Sequence, residues 1–257
     1  MTQQENDKKE SMRINRYLAS CGLCSRREAD RWVEAGRVQV NGNIIDQPGM
    51  QISHSDIVVV DNETVSTNQE KTYIMYNKPK GLLCSRRDDR KRPLIYDKLD
   101  VPPNVQSVGR LDMDSEGLLF LTDDGALAQA LTHPSYKIPR QYRVRIAGLP
   151  ELETLAKLRS GGIDMGDGDV SDAWDMVVSS ESKGHSWLMV TLYRGRWREV
   201  RRTLSAVKHD VRRLIRTRFG NISLDIELRP GQWRMLKAGE VDKLKQLVAK
   251  KVDDKRP

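Results

Sequence analysis

The stretch Val108-Gly109-Arg110-Leu111-Asp112-Met113-Asp114-Ser115-Glu116-Gly117-Leu118-Leu119 is the part of the 257-residue sequence on which the rest turns. A glycine precedes an Arg–Leu–Asp triplet, and a second glycine leads into the apolar run Leu118–Thr122, which reads as a buried strand. Glycine permits close backbone approach, so this spacing predicts Asp112 on a rigid loop at a strand edge. A carboxylate beside arginine is ionised at neutral pH and can serve as nucleophile or base. Taken alone, the residues favour a structural Asp–Arg pair next to a turn.

Outward from that loop, strands are predicted at Tyr73–Tyr76, Tyr142–Ile146, Trp174–Ser179, Trp187–Leu192, Val211–Phe219 and Trp233–Leu236. Helices are predicted at Ala126–Leu131, from Pro150 to Gly161, at Trp197–Val207 and at Gly239–Lys250. The Val211–Phe219 strand is expected to carry its arginines on one face. Trp174, Trp187, Trp197 and Trp233 fall in or beside strands and are expected in the core. Strands and helices mix without strict βαβ alternation, which favours an α+β fold.

Lys+Arg total 44 against 36 Asp+Glu, a net charge of +8. Between Thr191 and Gly220 ten cations face only Glu199 and Asp210, and nine of the ten are arginine. Arginine pairs bidentately with phosphate and stacks on bases, so a nucleic-acid partner is favoured over a merely solvated face. No apolar run approaches the ~20 residues of a membrane span. The polar N-terminal residues argue against a secretory leader, and three cysteines cannot make a disulfide framework. A soluble, cytoplasmic, monomeric protein without membrane association is therefore expected. Cys21-x-x-Cys24 has no second pair, Cys84 stands alone and the four histidines are scattered, so no metal site is expected. The glycine- and aspartate-rich segment 161–169 lacks the closing Glu of a calcium loop and reads as a polar turn.

Before residue 61 the pattern is different. Residues 1–11 read as a disordered tail. Met12–Cys21 reads as a short helix ended by Gly22. Ser25-Arg26-Arg27-Glu28 is a capping box opening a second helix, and Gly36 stands at its C-cap. Val38–Val40 alternates as a strand into Asn41-Gly42, a strong hairpin signal. Asp61–Lys71 is polar and aperiodic and reads as a linker, and residues 250–257 as a polar tail. The segment MRINRYLASCGLCSRREADRWVEAGRVQVNG resembles the S4 RNA-binding domain, with its S-R-R at the second helix followed by G-x-V-x-V-N-G. The resemblance implies binding of structured RNA through residues 12–60, with Arg13, Arg16, Arg26 and Arg27 facing the phosphate backbone.

The segment VGRLDMDSEGLLFLTDDG in turn resembles the G-R-L-D-x-x-[ST]-x-G-L-L motif of the ribosomal RNA pseudouridine synthases of the RsuA/RluB type. Further blocks follow in that family's order. Tyr76-Asn77-Lys78-Pro79-Lys80-Gly81 is similar to its K-P-x-G entry strand. Arg140-Gln141-Tyr142 is similar to its basic-x-Tyr motif, and RGRWREVRRTLSAVKHDVRRLIRTRFG to its G-R-x-R-[QE]-V-R-R block and following strand, with Trp197 where a small polar residue is more usual. The RluB type, acting on large-subunit RNA, is the nearest pattern. The resemblance implies a catalytic domain over 72–249 built on a mixed, largely antiparallel sheet with flanking helices. It implies isomerisation of a uridine in ribosomal RNA, 23S RNA or a large-subunit assembly intermediate, with neither cofactor nor metal. Asp112 would be the catalytic carboxylate, Arg201 its partner, and Tyr142 the ring stacked on the uracil. Arg110, Arg196, Arg198 and Arg202 would be RNA contacts. A small-subunit target and an inactive ribosome-binding or assembly protein are the alternatives.

Overall fold

The computed structural model describes residues 11–53, 55–66, 70–182 and 184–254, which fall into two compact units. The expected disordered tail, apart from Ser11, lies outside the described residues. The first unit contains residues up to Thr72 together with 101–106 and 122–125, and the second contains the remainder.

In the first unit β1 (Met12–Arg13) leads into α1 (Ile14–Ser20), so the first helix starts two residues later than the sequence suggests. β1 pairs with a later strand, Gln51–Ile52, which removes Met12 and Arg13 from the helix. α2 (Arg26–Glu34) is N-capped by Ser25, whose hydroxyl accepts from the Glu28 N–H at 3.2 Å, while the Glu28 carboxylate, expected to close a capping box, pairs with Arg31. β2 (Val38–Val40) and β3 (Asn43–Ile44) form the hairpin, with Asn41 and Gly42 both at positive φ, 52° and 82°. After β4 (Gln51–Ile52) come β5 (Val58–Val60) and β6 (Glu63–Val65), completing a four-stranded sheet in the order β3-β2-β5-β6. Ile14, Leu18, Ala29, Val33, Val38 and Val58 are fully buried and make its core. Cys21 and Cys24 join that core, and burial pushes each thiol up to about 11. The expected linker over Asp61–Lys71 is corrected in part. Glu63–Val65 is an edge strand whose polar residues need only one partner, and it pairs with β5.

The second unit is organised on a larger sheet. Its elements are β7 (Tyr73–Lys78), β8 (Gln106–Ser107), β9 (Glu116–Thr122), α3 (Gly125–Thr132), β10 (Arg140–Ala147), α4 (Leu152–Ser160), β11 (Asp175–Ser182), β12 (His185–Leu192), α5 (Glu199–Ala206), β13 (Val211–Phe219), β14 (Ile222–Ser223), β15 (Trp233–Met235) and α6 (Ala238–Asp253). The main strand order is β11-β12-β10-β13-β9-β7-β15, with β8 beside β9 and β14 beside β13. β10 pairs antiparallel with both β12 and β13, whereas β13 and β9 run parallel, so the sheet is mixed and largely antiparallel. Two apolar clusters cover it. Leu155 and Leu158 of α4 and Val200 and Leu204 of α5 pack with β10, β12 and β13. Leu127 and Leu131 of α3 and Leu244 of α6 pack with Leu118, Phe120 and Phe219.

The parallel pairing fixes Gly117. It sits opposite Arg216 at φ +103°, and a Cβ there would lie 2.3 Å from the Arg216 carbonyl oxygen. At the C-terminus the helix runs to Asp253, so the expected tail is helical as far as that residue, with Val241 and Leu244 as the helix's buried anchors. The core assignment holds for Trp174, 3% exposed, but not for Trp197 or Trp233, which are 65% and 39% exposed. Trp197 precedes the helix it was expected to start, in the turn between β12 and α5.

Candidate active site

The Asp112 loop is held from behind by buried groups. Lys78, at the end of β7, is fully buried, and its Nζ donates to three carbonyls: Pro79 at 3.1 Å, Asp112 at 3.1 Å and Ser115 at 2.9 Å. Burial pushes its pKa down, while the charges of Asp112 and Asp114 act in the opposite sense. Gly81 N–H donates to the Met113 carbonyl at 2.7 Å. The Cys84 thiol lies 3.3 Å from the Leu111 carbonyl and accepts from the Leu111 N–H at 3.4 Å. Saturating the loop's backbone in this way fixes where the Asp112 side chain can point. That side chain remains one-third exposed, at 32%.

The charges in front of the loop are shared differently from the sequence expectation. Arg198 donates bidentately to Asp114, 3.1 Å to each oxygen, and its Nη1 also lies 3.7 Å from Asp112 Oδ2. Arg201, expected to partner Asp112, lies with its Nε 3.2 Å from Asp114 Oδ2 and donates from Nη2 to the Asp114 carbonyl at 2.9 Å. The reason is geometric: Arg201 is on the first turn of α5, where it also reaches the Val211 carbonyl at 3.3 Å. Burial would raise the Asp114 pKa, but hydrogen bonds from Arg198 and the charge of Arg201 outweigh it and hold the carboxyl below its ordinary value. Asp114 thus anchors both guanidinium groups, and Arg198 is the one that reaches Asp112. Arg198 occupies the left-handed region, φ +47°, a costly conformation for a non-glycine residue.

The loop borders a cleft of about 300 Å³. Tyr142, half-buried on β10, lines it with Asp112, Arg110 and the turn 194–198. Its floor contains Phe219, flanked by the guanidinium groups of Arg140 and Arg216 at 5.0 and 4.9 Å from the ring centre. Arg140 donates to the Leu131 and Ile138 carbonyls, and Arg216 to the Leu118 carbonyl at 2.7 Å. Arg216 is 2% exposed, so the arginines of β13 do not share one solvent face. A bulge opposite Gln141/Tyr142 breaks the alternation there.

The cleft brings Asp112, Tyr142, Arg110 and Arg198 together. Arg110 is exposed. Besides Arg198, two of the arginines expected to contact RNA are engaged within the protein. Arg196 bonds Asp172 at 3.0 Å and the Val170 carbonyl, and Arg202 bonds Asp169 at 2.8 Å and the Met165 and Gly166 carbonyls at 3.1 and 2.7 Å. The segment 161–169, expected to be a simple polar turn, is thereby an anchor for α5. In the first unit Arg13, Arg16, Arg26 and Arg27 are all exposed. Lys78, Cys84, Asp114 and Arg216 are the site residues that the sequence reading missed. Among the described residues no cluster of three or more His, Cys, Asp or Glu side chains could hold a metal.

Comparison with known proteins gives the family. Residues 72–206 match the RNA pseudouridylate synthase family, and residues 12–58 match the S4 domain. The chain belongs to the RNA pseudouridylate synthase family. An uncharacterised RNA pseudouridine synthase of Aquifex aeolicus is 38% identical over 93% of this chain and 96% of its own length. Ribosomal large subunit pseudouridine synthase B of Buchnera aphidicola is 36% identical over 94% of this chain and 99% of its own, and that of Bacillus subtilis 34% identical over 91% and 96%. A crystal structure of a pseudouridylate synthase superimposes with a TM-score of 0.65 at 29% identity, covering 91% of this synthase and 99% of that chain. The synthase accordingly isomerises uridine in RNA, a reaction this family performs without a cofactor.

Proposed function

We propose that this synthase converts one uridine of large-subunit ribosomal RNA to pseudouridine, with Asp112 as the catalytic carboxylate. The supporting observation is the placement of Asp112. It is a part-exposed acid on a backbone clamped by Lys78, facing a cleft, with the Arg198 guanidinium 3.7 Å away. The large-subunit target rests on the two relatives that carry that name.

The reaction breaks the C1′–N1 bond, turns the uracil, joins C5 to C1′, moves the C5 proton off the ring and returns a proton to N1. The target base must leave its stack to expose C1′. Tyr142 offers it an aromatic face, the usual reader of a splayed RNA base. Asp112 acts at the sugar, either by attacking C1′ or by taking a sugar proton. Arg198 orients that carboxylate, and Asp114 with Arg201 holds Arg198 in turn. Arg110 is the exposed cation best placed to meet a phosphate at the rim. Residues 12–60 hold the RNA through Arg13, Arg16, Arg26 and Arg27, and residues 72–249 carry the chemistry.

The test is to map pseudouridines in ribosomal RNA from cells lacking the protein, then restore either the natural chain or Asp112→Ala. One missing site that returns only with the natural chain is expected. Asp112→Ala protein should still bind RNA while producing no pseudouridine. Full activity in that variant would remove Asp112 from the chemistry.

A further inference from the structure

Trp197 is the residue of the cleft that the reaction does not use. It is 65% exposed, although burying a tryptophan side chain is normally among the largest apolar gains available to a fold. It lies in the turn after β12, next to Arg198, and lines the mouth of the cleft that contains Asp112. Its surroundings hold it in place. The Arg202 guanidinium packs against the indole, 5.5 Å from the ring centre, and is itself immobilised by Asp169 and by the carbonyls of Met165 and Gly166. The Trp197 carbonyl accepts a further bond from Arg202 at 3.5 Å. One face of the ring is thus backed by a fixed cation, and most of its surface remains open to solvent.

A rigid, exposed aromatic backed by an arginine beside a nucleotide-sized cleft is the arrangement that receives an unstacked base. Tyr142, half-buried in the same cleft, already takes the target uracil under the proposed function, on which this inference rests. When that uridine swings out, the bases flanking it lose a stacking neighbour. We propose that Trp197 is a second stacking platform, which receives the nucleotide adjacent to the target uridine and so positions the RNA strand across the Asp112 loop. Any base presents a π-face, so the platform is tolerant of sequence and contributes affinity and register.

The probe is a short single-stranded RNA with a central uridine and 2-aminopurine as its 5′ or its 3′ neighbour. Stacking on an indole quenches 2-aminopurine fluorescence. One of the two positions should quench on binding the natural chain, less on binding Trp197→Phe, and no more than free RNA conformers account for on binding Trp197→Ala. Trp197→Ala should weaken binding by about 10-fold, the scale of one base–aromatic stack. In turnover on the mapped ribosomal RNA site, its loss should fall on KM more than on kcat, with Trp197→Phe restoring most of it. Circular dichroism of Trp197→Ala should match the natural chain, since the ring is outside the core. Quenching and affinity that are unchanged in Trp197→Ala would overturn the platform. If the natural chain forms no pseudouridine, the enzymatic reading fails instead, and the quenching result still decides whether Trp197 stacks on RNA.

Discussion

Two aspartates stand two residues apart in Leu111-Asp112-Met113-Asp114, and their environments give them different work. Asp112 is one guanidinium away from free, while Asp114 is tied to both Arg198 and Arg201. Because those partners hold the Asp114 carboxyl below its ordinary value, the folded protein takes up that proton less readily than the unfolded chain does. The stabilisation from Asp114 is therefore complete above about pH 4 and disappears as pH falls through its lowered value. Replacing Asp114 by Asn should make the protein less stable than the natural chain near neutral pH. The gap should close as the pH is taken down towards about 2. Urea midpoints of both proteins across that range measure it directly, because Asp56, Asp225 and Glu240, also held low by their partners, cancel in the difference. A gap that stays constant with pH would mean that the pairing with Arg198 and Arg201 contributes nothing to folding. The same substitution frees Arg198, so turnover should fall as well.

At the level of the element, the join between β9 and β13 is where strand geometry and chemistry meet. Gly117 admits the Arg216 backbone, and Arg216 reaches round to the Leu118 carbonyl beneath the cleft. A methyl group at Gly117 would clash with backbone, which cannot swing aside, at a φ that alanine does not readily adopt. Gly117→Ala should cost at least about 2 kcal/mol, against near-neutrality for Gly125→Ala, where a Cβ would meet nothing within 4 Å. Thermal unfolding of the two variants side by side checks this, and equal midpoints would show that the parallel pair yields easily. The elements that sequence periodicity located were those whose residues alternate or repeat with burial, such as Val38–Val40, Tyr142–Ile146 and Trp187–Leu192. β6 was missed because an edge strand of Glu, Thr and Val looks like a linker when only one of its sides is paired. Lys78 and Lys80 are indistinguishable in Asn77-Lys78-Pro79-Lys80-Gly81, yet only one is the buried clamp of the loop. Neither the division of labour between Asp112 and Asp114 nor the exposure of Trp197 is a property of spacing. Each depends on where α5 comes to lie against a loop more than 80 residues away in sequence, Arg198 reaching Asp114 across a separation of 84.

For the whole molecule, net charge is the quantity that acts at long range. The chain's surplus is +8, but several of the cations that produce it are already neutralised internally, Arg196, Arg198, Arg201 and Arg202 among them. These cannot release counterions from RNA without first breaking an ion pair. Of the exposed arginines of the first unit, Arg31 pairs with Glu28 and Arg37 with Asp61, whereas Arg13, Arg16, Arg26 and Arg27 have no ion-pair partner among the described residues and are available to phosphate. Substituting all four by Gln in the full chain should weaken binding to ribosomal RNA and flatten its salt dependence. The slope of log K against log salt should fall by about 3, at ~0.7–0.9 for each phosphate that is no longer neutralised. The single-turnover rate at saturating RNA should change far less, because Asp112 and its clamp lie in the other unit. Binding isotherms at a series of potassium chloride concentrations give the slope, and single-turnover assays give the rate. An unchanged slope would assign RNA capture to the cleft alone. A collapse of the rate at saturation would mean instead that the first unit takes part in the chemical step rather than in holding the substrate.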